Sequence, residues 1–245
     1  MPILEGQGVT KYFGGMAAVS RVDFHVEEGE ILGLIGPNGA GKTTLFNLIS
    51  AALPLSSGEI RFKNQKISGL KPHQICRIGV SRTFQETKVF PNIPVLQNVL
   101  LGAFFGTPAH VSGVAAASEA NQALEFVGLS KMGTTPIQDL TLVNQKRVEV
   151  ARALATKPEL LLLDELMAGL TSTEVSEAMD LVTKIRDRGI TIVMVEHVMK
   201  AIMGISSRVM VLNYGEKIAE GTCDEISRNK QVIDIYLGEE THAGS

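Results

Sequence analysis

Cysteine is scarce in this chain, neither sign of charge is in large excess, and no apolar run is long. Each scarcity removes a class of protein. The two cysteines, Cys76 and Cys223, lie far apart and form no metal-ligand or redox spacing. A disulfide scaffold, a zinc finger and a dithiol centre are therefore not expected, and a reduced, cytosolic setting is. Lysine and arginine total 23 against 26 aspartates and glutamates, a formal net charge of −3. The basic residues are scattered, so no nucleic-acid partner is expected. The opening "MPILEGQGVTKYFGG" lacks a basic flank followed by an apolar stretch, so no signal peptide is expected there. From Val89 to Ser118 no Asp, Glu, Lys or Arg occurs. Pro91, Pro94, Gln97, Asn98 and Pro108 interrupt that segment, and its apolar run Val99–Gly106 falls far short of the ~20 residues a spanning helix needs. It reads as a surface that docks onto something apolar, with the docking placed around 86–105. Internal repeats and low-complexity linkers are absent too.

What is present is enough for a sizeable core: 245 residues, 44% of them hydrophobic, suit one domain with a sub-domain. "VDFHVEEGEILGLIG" alternates at Val22, Phe24 and Val26, turns at Glu28–Gly29, then runs apolar through Ile31–Ile35 as a buried strand should. "TTLFNLISAAL" has helical spacing and stops before Pro54. "SSGEIRFKNQKI" reads as a hairpin with an Asn64–Gln65 turn. Alanine-rich segments such as "GVAAASEANQALEFVGL" dominate the middle. Strands return with "ELLLLDE", "GITIVMVEH" and "SRVMVLNYGEKIAEGT", with the helical "STEVSEAMDLVTKIRDRG" between the first two. Strands joined by helices imply an α/β core with parallel pairing. The expected division is a core of 1–90 and 150–245 around a helical sub-domain of about 91–149.

The chemistry starts at "GPNGAGKT", Gly36 to Thr43, which matches the phosphate-loop pattern in its required place between a strand and a helix. Gly36, Gly39 and Gly41, with Pro37, Asn38 and Ala40 between them, turn backbone N–H groups toward phosphate oxygens. The helix that starts with Lys42, Thr43 and Thr44 adds a partial positive charge. Lys42 is expected to reach the β- and γ-phosphates and Thr43 to ligate Mg²⁺. The four leucines of "LLLLDE" form a buried strand that ends in Asp164, a candidate Mg²⁺ ligand. Glu165 follows where a carboxylate can orient and polarise an attacking water. His197 closes the strand "TIVMVEH". Taken alone it is most simply a satisfied strand-end residue; in a nucleotide site it can hydrogen-bond a γ-phosphate. Gln85 in "RTFQET" is a surface polar residue on the plain reading and a Mg²⁺ or water contact on the functional one.

In order along the chain, "GPNGAGKTT", Gln85 before a helical region, "LLLLDE" and "VEHVM" resemble the ATP-binding cassette (ABC) transporter ATPases over nearly the whole length. More narrowly, "KYFGGMAAVSRVDFHVEEGEILGLIGPNGAGKTTLFNLIS", "RTFQETKVFPNIPVLQNV", "AGL" after the acidic pair and the closing "VIDIYLG" resemble the cassettes of branched-chain amino-acid importers. The resemblance implies an α/β fold: a P-loop NTPase core of ABC type with a parallel sheet, an N-terminal antiparallel β portion and an inserted helical sub-domain. It implies ATP and Mg²⁺ as cofactors, Glu165 and His197 as catalytic residues, and Thr43, Gln85 and Asp164 at the metal. Phe13 would stack on adenine, with Tyr12 the second candidate and a buried strand aromatic the plain alternative. Residues Ala168 to Thr171 would cross to a second cassette.

In that family two cassettes, alike or unlike, complete each other's ATP sites through a helix start usually written L-S-G-G-Q. Here the place is held by Leu140, Thr141, Leu142, Val143 and Asn144. Thr141 keeps the hydroxyl, both glycines are gone, and Val143 puts a β-branched side chain where glycine would allow close approach. Leu166 also stands where proline is common, and Thr171 where the crossing loop is usually acidic. The expected protein is the ATPase subunit of an importer of branched-chain or related amino acids. It would sit peripherally on the cytoplasmic face of the membrane, with separate permease subunits and an indirect link to a substrate-binding protein. A lipid- or polysaccharide-export cassette would look the same at the ATP site. A regulatory ATP-binding module with weak hydrolysis is the alternative from another class.

Overall fold

The structure, a computed structural model, describes residues 1–84, 89–106 and 112–242. The chain opens as a long hairpin of β1 (Pro2–Phe13) and β2 (Met16–Glu27), paired antiparallel to its tip, where Phe13 faces Met16. The period-two pattern works as expected: Val22, Phe24 and Val26 are buried while Asp23 and His25 face out. β3 (Ile31–Ile35) is buried along its whole length and leads to α1 (Lys42–Ile49). β4 (Ser57–Phe62) and β5 (Gln65–Lys66) form the expected second hairpin, but its turn is one residue earlier than expected. Phe62 pairs with Gln65, so the two turn residues are Lys63 and Asn64, with φ 49° and 63°. A two-residue hairpin turn needs positive φ at both positions, and asparagine tolerates it better than glutamine.

Then follow α2 (Pro72–Arg77), β6 (Val80–Arg82), α3 (Val95–Phe105), α4 (Gly113–Phe126), α5 (Leu142–Leu154), β7 (Leu160–Asp164) and α6 (Ser172–Asp187). The chain continues through β8 (Thr191–Val195), α7 (Met199–Ile205), β9 (Arg208–Asn213), β10 (Glu216–Gly221), α8 (Cys223–Arg228) and α9 (Lys230–His242).

Two compact units emerge: Met1–Leu70 with Thr191–Ser245, and Lys71–Ile190. In the first, β2, β1, β4 and β5 lie side by side as an antiparallel sheet. β3 pairs in parallel with β8 on one side and β9 on the other, and β10 closes onto β9 as an antiparallel edge. Leu45, Phe46, Leu48 and Ile49 are the buried face of α1.

In the second unit β6 and β7 pair in parallel, Val80 with Leu160 and Arg82 with Leu162. Helices α3, α4 and α5 pack on one another. The crossing of α3 and α5 is close because of Gly102, where a Cβ would lie 2.1 Å from the Arg152 carbonyl oxygen. Asn98, an apparent interruption of the apolar stretch, is fully buried. Its side-chain oxygen accepts the Phe90 N–H at 2.8 Å, and its amide donates to the carbonyls of Phe90, Ile93 and Pro94. One buried amide thus ties down the proline-rich segment before α3. Phe90, Phe104 and Phe105 are exposed at 53%, 42% and 68%, which gives the uncharged region an apolar surface.

Candidate functional site

The phosphate loop joins β3 to α1 in the first unit. Gly36 has φ 149°, and a Cβ there would meet the Leu212 carbonyl oxygen at 2.1 Å, so the loop's first turn admits glycine alone without a shift. Gly41, at φ 101°, is the N-cap of α1, and a Cβ on it would come 2.4 Å from the Ala18 carbonyl oxygen. The β9–β10 hairpin braces the loop from outside: Gly215 donates its N–H to Ala40 at 3.0 Å and accepts from Ser20 at 2.8 Å. No side chain caps α1, and its first turn holds no acidic residue. No side-chain cap or carboxylate competes there, so the helix's partial positive charge faces an incoming anion.

Lys42 is 6% exposed, and its ammonium donates to the Gly36 carbonyl at 2.6 Å and the Pro37 carbonyl at 2.9 Å. The cation is held inside the loop. Around it Asn38, Gly39 and Thr43 are exposed, Pro37 and Thr44 are half-buried, and Ala40 is buried. Phe13 is 45% exposed and Tyr12 50%, so neither is a buried strand aromatic. The Lys11 ammonium lies 5.3 Å from the Phe13 ring centroid. His197 belongs to this unit as well and is exposed, just beyond the end of β8.

Asp164, Glu165 and the start of α5 belong to the second unit. Asp164 ends β7 at 1% exposure and accepts from Arg82 Nη2 through Oδ2 at 2.7 Å. Its N–H donates to Thr83 Oγ1 at 3.1 Å. Glu165, half-buried, takes the left-handed backbone conformation with φ 52°. The buried Lys146 of α5 donates to its carbonyl at 2.8 Å. Gln85 lies outside the described residues.

At α5, Thr141 is the N-cap by backbone conformation, with φ −63° and ψ 159°, but its side chain caps no amide. Thr141 and Leu142 are exposed, while Val143 and Asn144 are half-buried. The Asn144 amide points at Met132 Sδ, 3.8 Å away. The helix start is accessible, but three side chains stand on it.

Arg82, Thr83 and Lys146 are the residues that sequence reasoning missed. Arg82 and Thr83 stand in the "RTFQET" stretch, where Gln85 drew the attention. Lys146 had a usable signal: it lies in helical phase with the buried Val150 and Ala153, a cation on the inner stripe of α5.

Both implied ligands fit these residues. A polyphosphate suits a loop whose glycines exclude side chains and whose lysine already sits among its carbonyls. Mg²⁺ prefers oxygen ligands, and Asp164 Oδ1 is buried with no hydrogen-bond partner among the described residues. Among those residues no group of three or more His, Cys, Asp or Glu is placed to hold a metal. An ion held by one or two protein oxygens, with phosphate and water for the rest, is the usual arrangement for Mg²⁺.

Comparison with known proteins places these features in context. The ABC transporter family model matches residues 19–168, and a second model, branched-chain amino acid ATP-binding cassette transporter, matches residues 216–242. The chain is 39% identical over 251 aligned positions to the high-affinity branched-chain amino acid transport ATP-binding protein BraF of Pseudomonas aeruginosa, covering 97% of this chain and 98% of that one. Among solved structures, an ATP-binding cassette of an ABC transporter in its ADP conformation superposes with a TM-score of 0.88 at 29% identity, covering 97% of this chain and 99% of the other. A dimeric cassette in a post-hydrolysis state with ADP and Pi superposes at 0.81 with 28% identity, covering 90% and 98%.

Proposed function

The chain belongs to the ABC transporter family, as an ATPase cassette, and from that footing we propose that it powers import of branched-chain or related amino acids. The observation that carries the ATPase part is the Lys42 ammonium, held at 2.6 Å from the Gly36 carbonyl inside a glycine-built loop before an uncapped helix. Similarity to BraF along essentially the full length of both chains supports the amino-acid part.

Each residue's role follows from its chemistry. The loop N–H groups and Lys42 take the phosphates, Thr43 and Asp164 offer oxygens to Mg²⁺, and Gln85 is assigned to the same ion. Phe13 offers its ring to adenine. Glu165 accepts a proton from, or orients, the attacking water, and His197 donates to the γ-phosphate. Mg²⁺ supplies charge neutralisation at the phosphate oxygens when bound. The helical segment of about 91–149 serves as the sub-domain that receives the permease, with its exposed Phe104 and Phe105, and Phe90 just before it, as the apolar contacts.

No helix among the described residues is long and apolar enough to cross a membrane. We assign the chain a peripheral place on the cytoplasmic face, bound to separate permease subunits that meet the substrate-binding protein. The dimeric cassette among the similar structures supports a second cassette as partner. The Thr141–Asn144 start of α5 would be this chain's contribution to the partner's ATP.

The test is turnover of Mg·ATP by the wild type and by Glu165→Gln, free and with co-purified membrane subunits. Glu165→Gln should keep ATP bound and hydrolyse it at least ~100-fold more slowly, the scale of a lost general base. A loss of less than a few-fold transfers that role to another residue. A wild type that binds ATP but never turns over, with or without partners, makes the chain a regulatory module instead.

A further inference from the structure

Arg82 is bonded to the carboxylate just assigned to the metal, and the way it is bonded is informative. β6 and β7 pair with Arg82 opposite Leu162, so the guanidinium reaches along the partner strand to its last residue. It meets Oδ2 at 2.7 Å, in an ion pair whose side chains are 8% and 1% exposed. A forked contact would have used both carboxylate oxygens and competed with an ion for them. Here Oδ1 has no hydrogen-bond partner among the described residues. A buried acceptor left over beside a satisfied one is unusual and calls for a ligand.

The rest of Asp164 is fixed as well. Its N–H is held by Thr83 Oγ1, and Thr83 is held in turn by its N–H to the Leu162 carbonyl at 2.9 Å. On the other side of the pair, the Arg82 guanidinium carbon lies 5.4 Å from the Phe84 ring centroid, which limits where the donor can swing.

We propose that Arg82 positions Asp164 for its divalent ion, gripping one carboxylate oxygen so that the other stays oriented and available. The inference rests on the reading that Asp164 holds Mg²⁺ beside ATP. Arg82 is a positioning residue in it and touches neither ion nor nucleotide. Partners of this kind set the plane of a ligand carboxylate, and their loss typically lowers metal affinity 10–100-fold.

The measurable quantity is the gain in ATP affinity on adding Mg²⁺: affinity for a fluorescent ATP analogue in excess Mg²⁺ divided by affinity in EDTA. It is taken for the full wild-type chain, Arg82→Met and Arg82→Gln, with melting curves on the same preparations. The gain should shrink about tenfold or more in the variants, while affinity in EDTA stays within about twofold of wild type. If Arg82 only stabilises the fold, melting falls and the gain keeps its wild-type value, which overturns the proposal. A gain larger than wild type overturns it too, because Arg82 would then compete with the ion. Should Arg82→Met fail to fold, Arg82→Gln, polar but shorter and uncharged, so that it cannot reproduce the grip on Oδ2, decides by the same ratio. A wild type with no Mg²⁺ gain defeats the assignment of Asp164 itself. A wild-type gain that both variants share defeats the Arg82 step alone.

Discussion

Glu165 carries two properties that a pair of substitutions can separate. Its carboxylate is the proposed water-orienting group, and its backbone is left-handed at φ 52°. That conformation costs a residue with a Cβ roughly 1–2 kcal/mol. It is held in place in part by Lys146, which donates to the Glu165 carbonyl at 2.8 Å. Glu165→Ala removes the carboxylate and keeps the Cβ; Glu165→Gly removes both. Comparing alanine with glycine at one position cancels whatever the carboxylate itself contributes to stability. Glycine relieves the left-handed cost but enlarges the unfolded ensemble, an opposing ~0.5–1 kcal/mol. The balance favours glycine by about 0–1.5 kcal/mol, centred on ~0.75 kcal/mol. For a chain of this size the central value is a melting temperature roughly 1.5–3 °C higher than that of the alanine variant. The melts are run without nucleotide, because bound ATP would stabilise each variant according to its affinity. Both variants should lose hydrolysis by at least ~100-fold. An alanine variant that melts above the glycine variant would refute the strain. Near-normal turnover in either would refute the catalytic role.

Two further outcomes are expected. Lys42→Ala removes the ammonium that joins the Gly36 and Pro37 carbonyls, so it should abolish productive Mg·ATP binding and lower the melting temperature; retained micromolar affinity with normal turnover would defeat the phosphate-loop assignment. Val143→Gly should raise turnover in a homodimer, and in a mixed pair should act on the partner's ATP rather than its own. Because glycine inside a helix costs about 1 kcal/mol, a lower melting temperature with no gain in rate would make Val143 a packing residue.

The sequence was most legible where a local pattern carries its own physics. The phosphate loop is written in glycines that the backbone needs, and β3, β7 and β8 are written as apolar runs that end where chemistry begins. Contacts between residues distant in sequence were not legible. Arg82 and Asp164 are 82 residues apart and meet only because β6 and β7 pair, and β6 is too short to announce itself. Asn98 read as an interruption of an apolar stretch because a sequence does not show that its amide is satisfied by four backbone partners. The turn at Lys63–Asn64 was misplaced by one residue because either register leaves an asparagine in the turn.

The three places where the chain departs from its family's usual motifs have different physical standing. Leu166, where proline is common, is 6% exposed, so an apolar side chain there gains from burial what a fixed φ would otherwise supply. Thr171, where an acidic residue is usual, is the N-cap of α6 in a full capping box: its hydroxyl accepts from Glu174 N–H, and Glu174 accepts from Thr171 N–H. A threonine cap is worth about 1 kcal/mol against alanine, so the change keeps the cap and gives up only a charge. The start of α5 has no such compensation. Thr141 caps nothing, Leu142 is 45% exposed, and a Cβ on Gly169 would come within 3.2 Å of Leu142 Cδ2. Burial and capping thus account for the first two substitutions, and neither accounts for the exposed Leu142. Leu142 lies beside Gly169 of the Ala168–Thr171 loop, the loop that by resemblance would cross to a second cassette. On the proposed reading, what varies in this chain is the face it would offer to another cassette, while the loop and carboxylates assigned to its own ATP keep their form. On that proposed reading the asymmetry would suit an unlike partner, whose ATP this chain would serve poorly while its own is served well.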